Sequence, residues 1–112
     1  MAARTKRRAK FDFRGRPFVW WIDGDKYLRI ISLDKKFVIA VPLGIESDYW
    51  PVVQVIGPEF PGIERRERRP IVVVGPPIET HVSMGAWVDQ LLHWAFEPGH
   101  ELVRVQEPIR FL

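Results

Sequence analysis

The sequence predicts an α+β fold: a strongly bent antiparallel β-sheet of five to seven strands, a meander or partly closed barrel, with one amphipathic α-helix over residues 84–96 packed on one face. Three observations lead there. Short runs of β-branched and aromatic residues recur between prolines, placed where a missing N–H does no harm to a sheet ladder. The first of these runs are separated by residues suited to tight hairpins, which favours pairing in chain order. One later stretch switches from a period of two to spacings of three and four, as a helix requires.

"KFDFR" (10–14) is the weakest strand candidate. "PFVWWI" (17–22) and "KYLRIISL" (26–33) follow, joined by Asp23-Gly24-Asp25, whose glycine tolerates the positive φ of a hairpin turn. Asp34-Lys35 is expected to close the next hairpin onto "KFVIAV" (36–41) as a two-residue loop. "PVVQVI" (51–56), "PIVVV" (70–74) and "ELVRV" (101–105) complete the strand set. In the helical stretch Met84, Trp87, Val88, Leu91, Leu92 and Ala95 share one face, while Ala86, Asp89, Gln90, His93 and Glu97 collect on the other. Ser83 is placed to cap its N-terminus, Val82 and Trp87 to staple it, and Pro98-Gly99 to end it.

The adjacent Trp20 and Trp21 pose the main packing question. Neighbours on a strand point to opposite faces, so one helix covers only one of the two indoles. Residues 19–22, 37–41 and 71–74 are apolar at every position, where a solvent-facing sheet would alternate. The second face is therefore expected to be closed by a curled sheet or by "PIVVV" and "ELVRV" folding across it. A second subunit or an exposed binding platform are the alternatives.

A chain of 112 residues, 46% hydrophobic, is one domain's length and buries enough surface to fold without staples. It has no cysteine, which removes disulfides, thiolate metal sites and a cysteine nucleophile. The basic N-terminus is not followed by the apolar stretch of a signal peptide, and no run reaches the ~20 residues that span a bilayer. The expectation is a soluble cytoplasmic protein with no membrane partner. Arg4, Lys6, Arg7, Arg8, Lys10, Arg14 and Arg16 against Asp12 give the first 16 residues a balance of +6, whereas the whole chain is +3. Residues 1–9 are thus expected to form a disordered basic arm, and 10–112 a single, mildly acidic globular domain.

Catalytic motifs are scarce. The sequence lacks a G-x-S-x-G elbow, H-E-x-x-H, a phosphate-binding G-x-x-x-x-G-K-[ST] and G-x-G-x-x-G. Asp89 and His93 lie four apart on the outer helix face, with His81 before the helix and His100 after it; two imidazoles and a carboxylate suit a divalent transition metal or a shared proton. Surface histidines on a solvated face give the same pattern, so no metal or other cofactor is expected. Asp23 and Asp25 flank a glycine as turn residues do, without the remaining ligands of a calcium loop. The connection 57–70, "GPEFPGIERRERRP", is long for a compact domain and such loops tend to be functional. Its Arg65, Arg66, Arg68 and Arg69, with Trp50 and Phe60 as aromatic surfaces, form a candidate interaction loop.

The leading expectation is a small non-catalytic interaction or accessory protein with an unidentified protein partner, monomeric or homodimeric. The first alternative is nucleic-acid binding through Arg4, Lys6, Arg7, Arg8 and Lys10, which needs no sequence preference. The second is a metal-dependent or acid–base enzyme around Asp89, His93 and His100.

Overall fold

The computed structural model describes residues 8–24, 26–43, 52–63, 70–76, 83–97 and 102–104. Among them the strands are β1 (Ala9–Phe13), β2 (Arg16–Asp23), β3 (Tyr27–Ser32), β4 (Val38–Pro42), β5 (Val52–Val55) and β6 (Ile71–Val74), followed by α1 (Met84–Ala95). The strands pair antiparallel in chain order, giving a six-stranded open meander with one helix. Local chemistry sets each reversal. Arg14 and Gly15 both take positive φ, 53° and 81°, and make the two-residue turn between β1 and β2. Gly24, at φ 60°, turns β2 into β3, with Lys26 N–H donating to the Asp23 carbonyl at 3.0 Å.

Alternation along the strands sends Phe18, Leu28, Ile30, Ile39, Val41, Val53, Val55 and Val73 into one core with Trp87, Val88, Leu91, Leu92 and Ala95 of α1. One row of that face runs Trp20, Ile30, Ile39, Val55, Ile71 straight across five strands. The Ser83 hydroxyl accepts the Ala86 N–H at 3.2 Å as the N-cap, and α1 ends with Phe96 N–H bonded to the Leu92 carbonyl. Phe96 then turns its ring into an aromatic cluster with Phe13, Phe18 and Phe37, at centroid distances of 5.8, 6.4 and 5.0 Å.

Several expectations change in detail. Arg14 belongs to the turn rather than to β1, and the strand starts at Ala9, so the end of the basic segment is part of the fold. The β3–β4 hairpin is not closed by two residues: Ser32 N–H bonds the Phe37 carbonyl at 2.9 Å across a four-residue loop, in which Lys35 adopts φ 63°. Of the "ELVRV" segment, the described residues 102–104 contribute a bridge, Val73 with Arg104, supported by Val74 N–H to the Val103 carbonyl at 2.8 Å. "PIVVV" does not fold across the second face. As β6 it continues the sheet beside β5, where its main chain gains ladder hydrogen bonds that stacking face to face would not supply.

The two tryptophans therefore separate. Trp20 packs against the core from the helix side. Trp21, paired with Arg29 on the opposite face, lies under the guanidinium of Arg8, whose Cζ is 4.1 Å from the ring centroid.

Candidate functional site

The face away from α1 is the first surface of interest. Register places Val19, Ile31 and Val38 in one row across β2, β3 and β4. Trp21 and Tyr27 lie on the same side, and all five are half-buried. Nearer β5 this face is closed, since Ala40, Pro42 and Val52 are buried. At the stripe's margin Asp23 Oδ2 accepts from Arg29 Nε at 2.7 Å, and the Arg29 guanidinium lies over the Tyr27 ring. That ion pair is partly exposed, so it orients the rim and contributes little stability. Asp25, across Gly24 from Asp23, lies outside the described residues.

A second region forms at the end of the sheet where the β1–β2 turn, the β3–β4 loop and residues 57–63 meet the C-terminus of α1. Arg16 ties it together: its Nη2 is 3.2 Å from Asp34 Oδ1 and 2.8 Å from Glu59 Oε1. The Glu59 contact is a charge pair rather than an aligned hydrogen bond. Partial burial disfavours the Arg16 cation, but Glu59 and Asp34 outweigh it and hold its pKa above the usual arginine value. Asp34 is drawn down to about 2, first by the Ser32 hydroxyl at 2.5 Å, then by the Lys36 N–H at 3.1 Å, with Arg16 adding less. Two open clefts flank Phe96: one of about 450 Å³ beside Lys36, Glu59 and Phe60, the other of about 280 Å³ beside Phe13, Arg14 and Arg16.

The helix pair is present but small. Asp89 Oδ1 lies 3.5 Å from His93 Nε2, and Arg14 Nη2 lies 3.5 Å from His93 Nδ1. The two ring nitrogens thus face opposite charges, the guanidinium at Nδ1 and the carboxylate at Nε2. Among the described residues no three of His, Asp and Glu gather as a metal site; His81 and His100 lie outside them.

The interaction loop divides in the same way. Phe60 is not a stacking surface: it is 3% exposed, stacked on Phe37 at 5.7 Å and edge-on to Trp94. Residues 57–63 are drawn in because Ile56 and Gly57 N–H both bond the Val38 carbonyl and Glu59 N–H bonds that of Lys36. Trp50, Arg65, Arg66, Arg68 and Arg69 lie outside the described residues, as do Arg4, Lys6 and Arg7. Arg8 and Lys10 are described, and both belong to the apolar face, the first over Trp21 and the second paired with Val19. Sequence inspection missed Arg14 and Arg16, whose partners are remote in the chain: Asp34 is 18 positions from Arg16, and His93 is 79 from Arg14.

No helix among the described residues is long and apolar enough to cross a membrane. Comparison with protein-family models, curated proteins and solved structures finds no match to this chain.

Proposed function

We propose that this is a small non-catalytic interaction or accessory protein of the cytoplasm, and that it presents the sheet face opposite α1 to a protein partner. The observation carrying this reading is the half-buried apolar row Val19, Ile31 and Val38 with Trp21 and Tyr27 beside it. Contiguous apolar patches on monomers are frequently functional, and aromatic residues inside a polar rim are the usual make-up of an interface centre. Arg29, Asp23, Lys10 and Asp12 supply that rim. The test replaces Ile31 with lysine at the centre of the row. With the urea midpoint retained, affinity for a partner isolated from the source cell should fall at least about tenfold. Unchanged affinity in this variant, with loss on Gln90→Lys across the molecule, would move the working surface to the helix.

The nucleic-acid reading draws on the same face, because Arg8 and Lys10 adjoin Trp21 as cations adjoin aromatics on single-strand platforms. An incoming base would have to displace Arg8 from Trp21 and Arg29 from Tyr27. Five phosphate contacts, from Arg4, Lys6, Arg7, Arg8 and Lys10, would give log K against log salt a slope of about −4.5 on duplex DNA. Equal binding after removal of residues 1–9 would end this alternative.

A further inference from the structure

We infer that β1 is a self-complementary edge through which two copies of this chain join their sheets, antiparallel and about a two-fold axis at Phe11. The hydrogen-bond phase of β1 follows from its turn. Arg14 and Gly15 form a two-residue hairpin loop, so Phe13 and Arg16 are the bonded pair that closes it, and bonding to β2 falls on Phe13, Phe11 and Ala9. The carbonyl of Pro17 confirms the phase from the other side: opposite Asp12, it is taken by Leu33 N–H at 3.1 Å, toward β3. Lys10 and Asp12 therefore aim their N–H and C=O groups away from β2. Among the described residues nothing pairs with that edge, whereas β6 at the far edge carries the bridge to Arg104.

An exposed strand edge with a central lysine usually repels a second strand. Here Asp12 stands two residues from Lys10 on the same face, and the antiparallel two-fold register turns that repulsion into attraction. Lys10 lies opposite Asp12 of the second copy, and Asp12 opposite its Lys10. Both are hydrogen-bonded pairs that bracket Phe11 against Phe11 in the closer, non-bonded position. Asp12 keeps an oxygen for this contact, since Oδ1 accepts the Gly15 N–H at 2.9 Å. A slip of two residues sets Lys10 on Lys10 or Asp12 on Asp12, and a slip of one reverses the faces. The same register brings Arg8 toward Arg14, but Arg8 is turned onto Trp21, and Arg14 onto Phe13 and His93. This edge borders the apolar face of the proposed function, whose rim includes Lys10 and Asp12, and the pairing does not rest on that reading.

The experiment is light scattering of the full chain and of Lys10→Asp, Asp12→Lys and the double exchange across a dilution series, with circular dichroism to confirm folding. The unsubstituted protein should reach twice the monomer mass. Each single reversal, which places like charges opposite one another twice per dimer, should raise the dissociation constant about tenfold or more. The double exchange should restore it, and this holds even if one single variant fails to fold. A protein that stays at monomer mass up to about 1 mM, or a dimer insensitive to both reversals but dissociated by Ile31→Lys, would overturn the edge pairing.

Discussion

Gly57 sits where residues 56–59 approach the start of β4 too closely for a side chain. A Cβ built there would lie 2.7 Å from the Lys36 carbonyl oxygen, 2.8 Å from Val38 N and 3.1 Å from Val38 Cβ. Two of these neighbours are main chain, so no rotamer change relieves them. The segment has to move, disturbing the bonds from Gly57 N–H to Val38 and from Glu59 N–H to Lys36, at 3.1 and 2.9 Å. Phe60 follows directly and would shift against Phe37. Strain of about 1–3 kcal/mol with about 1 kcal/mol from weakened hydrogen bonds gives about 3 kcal/mol for Gly57→Ala. At an m-value of about 1.5 kcal/mol per M, the urea midpoint followed by tryptophan fluorescence should fall by about 2 M. Gly85 is the internal control: it lies in α1 with nothing near its missing Cβ, so Gly85→Ala should stabilise by about 0.5–1 kcal/mol. A Gly57→Ala midpoint within about 0.3 M of the parent would refute the docking of residues 56–60 on β4.

Four further expectations follow from particular contacts. Asp34 titrates at about 2 when folded against an ordinary 3.8, so the unfolded chain takes up the proton first; the stability it confers is whole above about pH 4 and lost as pH falls through about 2, and Asp34→Asn should flatten that limb of the urea-midpoint profile. Arg14, a non-glycine residue at φ 53° before Gly15, should give way to asparagine with a gain of about 0.5–1 kcal/mol in urea unfolding, because Asn-Gly suits this turn; a loss would mean that its contact with His93 outweighs its backbone strain. Trp87→Ala should cost about 3–5 kcal/mol, read as the same midpoint, since the side chain is 5% exposed within the core. Arg8→Ala should increase acrylamide quenching in a variant retaining Trp21 alone and leave one retaining Trp20 alone unchanged.

The parts of the fold legible in the sequence are those set by local pattern. The apolar spacing from Met84 to Ala95 and the hydroxyl of Ser83 define the helix without reference to anything beyond it. The glycine at 24 marks its turn, and the β-branched runs mark the strands. What the chain does not announce depends on contacts between distant segments. Phe60 lies between prolines in what reads as a surface loop, and only the approach of Gly57 to Lys36 and Val38 carries it inside. Arg16 looks like one more cation of the basic arm until Asp34 and Glu59 close on it. The fate of Trp21 depended on whether β6 would cover the sheet or extend it; hydrogen bonding to β5 decided for extension, and Arg8 became the nearest cover.

The most direct measurement of the proposed function replaces Tyr27 by the near-isosteric p-azidophenylalanine, with Gln90 replaced in a second protein as the helix-side control. Photolysis in the source cell should give one discrete adduct of another polypeptide from position 27 and none from position 90. The adduct should disappear when Ile31→Lys is added on the same face. Capture from position 90 alone, or an adduct at position 27 that survives Ile31→Lys, would contradict the assignment of this sheet face as the interaction surface.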